Sequence, residues 1–104
     1  MKTGIELIAE ERKRQIEAEG YTKEHDAEHT DDSLARAAVC YAIPSVQRTY
    51  TYDPISKVRI PQFWPWDIKY WKPSPEDRIK ELVKAGALLA AEIDRLNARK
   101  EENQ

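Results

Sequence analysis

At 104 residues with a formal net charge of −2, the chain has the length of one domain and lacks the excess basic charge that marks a general nucleic-acid binder. Hydrophobic residues make up 40% and charged residues 35%, which is too apolar for full disorder and too polar for a large core. The longest apolar run, about seven residues around Gly86, falls far short of the roughly twenty that a membrane-spanning helix needs.

In chain order, Thr3 or Gly4 opens a first helix, predicted over residues 4–19, with Gly20 as its stop. Glu6, Glu10 and Glu11 stand where a secretory signal would be basic and then apolar, so a cytoplasmic location is expected. Ile5, Ile8, Ala9 and Ile16 fall on one stripe, and Arg12 and Glu19 project into it. A charge on an apolar face needs a partner. Either an ion pair to another helix or a ligand meets that need, so both are candidate ligand contacts.

Residues 20–32 form a polar loop in which Glu24, His25, Asp26, Glu28, His29, Asp31 and Asp32 crowd together. If this segment is helical, His25 and His29 share a face and can hold a metal with a nearby carboxylate. The other reading is a solvated acidic loop that caps the next helix. That helix, predicted over 33–43, starts from Asp32 or Ser33 and ends at Pro44. Its single cysteine, Cys40, has no internal disulfide partner and reads as a small core residue.

Residues 44–73 lack helical periodicity. Val46 to Tyr52, a turn at Asp53-Pro54, and then Val58 and Ile60 suggest a short hairpin. After it, Phe63, Trp64, Trp66, Tyr70 and Trp71 place five of the nine aromatic residues within nine positions. Ser74-Pro75-Glu76-Asp77 then resembles a helix start, and a last helix is predicted over 75–99. Ile79, Leu82, Val83, Gly86, Leu89, Ala90, Ile93 and Leu96 repeat at three and four. Ala85, Leu88 and Ala91 widen that stripe beyond what one small partner layer covers, so a homo-oligomer joined through this helix is expected. Gly86 within it implies that another backbone approaches closely.

Ile8 to Arg12, Gln15-Ile16, Glu19 to Thr22, Glu24-His25-Asp26, Trp64-Pro65-Trp66-Asp67, Trp71-Lys72-Pro73, Leu82 to Ala87 and Ala91 to Leu96 resemble a family of small phage and prophage proteins. The resemblance implies a bacterial host. Some members are likened to the MazG-type all-α nucleotide pyrophosphohydrolases, which hold magnesium through Glu-x-x-Glu on one helix and Glu-x-x-Asp on the next. This chain has no Glu-x-x-Glu, and its Glu-x-x-Asp, Glu28 to Asp31, precedes the second helix. Arg12, Ile16, Glu19-Gly20-Tyr21 and the Trp-rich loop are similar also to ryanodine-receptor-type repeat domains, which implies ligand binding without catalysis.

Trp64-Pro65-Trp66 is the strongest candidate for recognition, because the proline restrains two indoles that can stack on a base. Arg48, Arg59, Lys69 and Lys72 lie near in sequence and can hold phosphates, and Arg12 offers a guanidinium from the first helix. The competing reading makes the tryptophans core. Nucleophilic catalysis finds little support: Cys40 sits among alanines, and no Gly-x-Ser-x-Gly occurs.

The fold expected is thus mainly α, one domain of three helices with a short hairpin and a long aromatic loop. Its expected role is binding a nucleotide-like or phosphorylated small molecule, without catalytic residues. Trp64, Trp66 and Trp71 would stack, Arg12 and Lys72 would contact anions, and Glu19, His25, Asp26 and His29 would hydrogen-bond. One alternative is a pyrophosphohydrolase with magnesium on Glu11, Glu28, Asp31 and Glu92; another is an interaction protein with no small ligand.

Overall fold

In a computed structural model of the chain, residues 1–19 and 32–102 are described, with Glu19 and Glu102 as backbone only. Residues 20–31 of the predicted polar loop, with Gly20, His25, Asp26, Glu28, His29 and Asp31, lie outside the described residues, as does the Glu19 side chain; Asp32 precedes the second helix without a side-chain cap bond. The described residues form three helices and one two-stranded antiparallel sheet, in the order α1 (Gly4–Glu19), α2 (Ser33–Ala42), β1 (Tyr50–Asp53), β2 (Val58–Pro61) and α3 (Arg78–Glu102). No helix among them is long and apolar enough to cross a membrane.

Local chemistry accounts for the element boundaries. Thr3 and Glu6 make a reciprocal capping box: the Glu6 N–H donates to Thr3 Oγ1 at 3.2 Å and the Thr3 N–H donates to Glu6 Oε1 at 3.1 Å. Donation from Thr3, first by its backbone N–H and then by its side chain, holds the Glu6 carboxyl below its ordinary pKa. Pro44 forces Ile43 into extended backbone, and α2 stops there. In the hairpin, Asp53 accepts from the Ile55 N–H and from the Ser56 hydroxyl, closing the turn between the paired residues Asp53 and Val58. The strand expected from Val46 begins only at Tyr50, because Ser45–Gln47 close a 3₁₀ turn after Pro44.

The last helix departs from the sequence expectation at its start and in its orientation. It begins at Arg78, not residue 75, because Asp77 Oδ1 accepts the Lys80 N–H at 3.1 Å and so provides the cap, while Pro75 and Glu76 stay in a turn. The core takes its small-residue side: Ala85, Leu88 and Ala91 join Leu34, Ala37, Ala38, Cys40 and Tyr41 of α2 and Trp64 of the aromatic loop. Alanines on both helices let the backbones approach closely, which larger side chains would prevent. Ile79, Leu82, Leu89, Ile93 and Leu96 are left largely bare.

Both α1 and α2 pack on α3. α1 is turned so that Gln15 is buried and Ile8, Glu11 and Arg12 are partly covered, whereas Ile5, 83% exposed, and Ala9 face solvent. The approach inferred at Gly86 comes from a side chain, not from a backbone. A Cβ on Gly86 would lie 2.5 Å from Ile8 Cδ1.

Beneath the aromatic loop lies a buried ionic cluster that the sequence reading did not find. Arg48 Nη2 lies 2.9 Å from Glu81 Oε2, and Glu81 is 1% exposed. The Arg48 guanidinium also donates to the carbonyls of Cys40 and Tyr41, and Arg78 donates to those of Tyr41 and Ala42. Two arginines thereby satisfy the last carbonyls of α2, where cations are favoured by the helix dipole. Glu81 holds both arginines and accepts the Ser74 N–H at 3.1 Å. The loop is thus tied to both helices.

Candidate functional site

The aromatic loop folds back on itself before it can form a site. The Trp64 indole N–H donates to the Asp67 carbonyl at 3.2 Å, and Asp67 Oδ1 accepts the Lys69 N–H at 2.9 Å, capping a 3₁₀ turn over Ile68–Tyr70. Trp64 and Trp66 meet edge to face, with centroids 5.5 Å apart and planes at 84°. They do not offer the two flat surfaces expected of them: Trp64, 8% exposed, belongs largely to the core, and Trp66 packs partly against it. Trp71 lies behind, 4.7 Å from the Tyr41 ring, with the Arg48 guanidinium 5.2 Å from its centroid. The core reading holds for much of this aromatic cluster.

One side of the cluster stays open. A cavity of about 260 Å³ is walled by the rings of Tyr41, Trp64, Trp66 and Tyr70, by Leu88, and by Glu11, Arg14, Gln15, Lys72 and Lys84. α1 contributes its acid, its arginine and its amide, α2 and the loop contribute the rings, and α3 contributes Lys84. The Lys84 ammonium donates to the Lys72 carbonyl at 2.9 Å and sits 5.3 Å over the Tyr41 ring, while the Tyr41 hydroxyl accepts the Lys72 N–H at 3.1 Å. The backbone at Lys72 is therefore held from two sides. Its own side chain is exposed, and no carboxylate among the described residues pairs with it.

The acidic wall is bonded within α1. Arg14 grips Glu11 with two bonds of 2.7 Å, and the Gln15 amide N–H donates to Glu11 at 3.3 Å. Burial works to raise the Glu11 pKa, but the bonds from Arg14 and Gln15 and the charge of Lys84 outweigh it and hold the carboxyl below its ordinary value. The Gln15 Oε1, on a residue 3% exposed, has no hydrogen-bond partner among the described residues. Leaving a buried acceptor unmatched costs about 1–3 kcal/mol.

Of the nine residues expected at a site, the structure brings Trp64, Trp66 and Lys72 to one cavity. Trp71 supports it from behind. Arg12 is elsewhere: its Nη2 lies 3.5 Å from Asp94 Oδ2, the helix-to-helix ion pair that was the other reading of a charge on that stripe. Glu19, His25, Asp26 and His29 carry no described side chain. Arg48, expected near phosphates, is buried under Trp71 and committed to α2 and Glu81. Among the acids proposed for magnesium, Glu11 is bonded to Arg14 and Glu92 to Arg95 at 2.6 Å. No group of three or more potential metal-ligating side chains occurs among the described residues.

Arg14, Gln15, Tyr41, Tyr70, Lys84 and Leu88 are the wall residues that sequence reasoning missed. Tyr41 has the helical spacing of a core residue, and Lys84 sits on what reads as the polar side of α3. Cys40, beside the cluster, donates its thiol to the Gln62 carbonyl at 3.4 Å, and burial pushes its pKa up to about 11. The thiol is thus held protonated and unreactive at neutral pH, in keeping with a core role. Compared with protein-family models, with curated proteins and with solved structures, the chain matches none.

Proposed function

We propose that this chain binds a small planar ligand bearing an anionic group, of the nucleotide or phosphorylated-ring class, in the cavity between α1, α3 and the aromatic loop. One observation carries the reading: four aromatic rings and the lysines 72 and 84 converge on a single cavity of about 260 Å³. Rings of this kind give a base a stacking surface worth roughly 1–3 kcal/mol per base. A lysine on the rim meets a phosphate as a point charge. The unmatched Gln15 acceptor in the wall adds a place for an N–H or O–H donor. Binding without turnover is favoured over pyrophosphohydrolysis, because Glu11 and Glu92 are already bonded to arginines. Held tightly, such a ligand is sequestered from the cell.

The test is thermal unfolding and tryptophan-fluorescence titration against nucleoside mono-, di- and triphosphates and cyclic dinucleotides, with and without magnesium. The expected result is a raised midpoint and quenched emission for at least one compound, recovered chemically intact. Absence of any shift or quenching across the panel overturns the reading and leaves the interaction-protein alternative. Conversion of a triphosphate to a monophosphate, abolished by a chelator, establishes the enzyme instead.

A further inference from the structure

We propose that the bare face of α3 is a self-association surface, covered in solution by the same helix of a second copy of this chain. Ile79, Leu82, Leu89, Ile93 and Leu96 lie along it, each between 43% and 65% exposed. With Gly86 they follow the alternating three-and-four spacing of a coiled-coil seam. Buried Ala85, Leu88 and Ala91 lie on the adjoining side of the same helix, packed in the core, so α3 is apolar on two faces, one packed in the core and the other met by its own fold at Gly86, under Ile8, with the five large side chains left bare.

The size of the bare face fits a second copy. Five branched side chains left about half exposed amount to roughly 400 Å² of apolar surface, a patch of the size that is often functional in monomers. That apolar centre is about half of the ~800 Å² per partner that a standard interface buries, the remainder of such an interface being a polar rim. The seam from Ile79 to Leu96 is ~26 Å long at 1.5 Å per residue. A helical seam of this length and spacing is matched by another helix.

The flanks permit contact between identical chains. Like charges facing across a two-fold axis would oppose it. One side of the seam is flanked by Val83, Ala90 and Asn97; on the other, Arg78 and Arg99 stand at its two ends, with Ala85 and Glu92 along its middle. Glu92, the one acid among them, is buried and bonded to Arg95. No bare charge therefore meets its own copy along that middle. Ile8, which lies over Gly86, belongs to α1 and adds an apolar edge to the seam at its midpoint.

The experiment is the solution mass of the full chain by light scattering, for the wild type, Leu89→Glu, Ile93→Glu and a control, Ile55→Glu, at the exposed hairpin turn. The wild type and the control are expected at twice the 12.1 kDa chain mass. The two seam variants are expected at the single-chain mass, with circular dichroism unchanged. If Ile93→Glu does not fold, Ile93→Gln, uncharged and a good helix former, reads the same question with at least a tenfold weaker dimer expected. A wild type of single-chain mass, a dimer indifferent to the Leu89 and Ile93 substitutions, or one broken by Ile55→Glu overturns the proposal. Ligand binding is read separately, so either inference can fail without the other.

Discussion

Two clusters of charge flank Tyr41, and they differ in how completely their partners enclose them. On one side Arg48, Arg78 and Glu81 close on each other and on the carbonyls of α2, with Arg48 and Glu81 shut away from water. On the other, Glu11, Arg14, Lys72 and Lys84 stand around a cavity, and the Lys72 ammonium reaches solvent. Each sets one glutamate among several cations, arginines alone on the enclosed side and an arginine with two lysines on the open one. What separates them is desolvation: a fully enclosed ion must be matched or the fold is lost, whereas a half-wet one keeps capacity for a ligand.

The sharpest way to break this contrast is to remove one partner on each side. Glu81→Ala leaves two arginines without their shared anion and the Ser74 N–H without its acceptor, and is expected to cost about 3–5 kcal/mol in urea unfolding. A loss below about 1 kcal/mol would show that water reaches the cluster and that it does not hold the loop. Lys72→Ala should move stability by no more than about 0.5 kcal/mol. It should nevertheless weaken any ligand found by the thermal panel about tenfold or more, as loss of a charge-assisted contact does. Equal stability losses at Glu81 and Lys72 would erase the distinction between the two clusters.

A gentler probe is pH. The Glu11 carboxyl is held below its ordinary value of 4.5 in the folded chain, so the folded state binds the proton less readily than the unfolded one. Its contribution to stability is therefore present above pH 4.5 and is lost as pH falls through the lowered folded value. Glu11→Gln should flatten that acidic limb in a series of unfolding curves while leaving the neutral plateau lower. An acidic limb identical in the variant would mean that Arg14 and Gln15 do not favour the ionised form.

Much of the fold is legible residue by residue. Thr3 and Glu6 cap α1, Pro44 ends α2, and Asp53 turns the hairpin, each through contacts within a few positions. The buried stripe of α2, with Leu34, Ala37, Ala38 and Tyr41, is also where helical spacing puts it. The site was legible only in part. Trp64, Trp66 and Lys72 were drawn from a conspicuous loop, but Tyr41 and Lys84 come from different helices and have no local signature. Arg12 illustrates the limit: helical spacing puts it on a stripe with Ile5 and Ala9, which instead face solvent, and of the two answers that fit its charge the structure holds an ion pair with Asp94, 82 positions away.

The sequence by itself determined that this chain makes three helices, a short hairpin and an aromatic loop, because caps, prolines and helical spacing act over a few residues. Only the tertiary structure decided which face of α3 turns inward. Periodicity marks an apolar stripe but is silent on how closely two backbones can approach. Alanines on α2 and α3 favoured close contact, with the larger side chains left outside. The same packing decided which charges are enclosed and which border a cavity, since that depends on neighbours brought from distant parts of the chain.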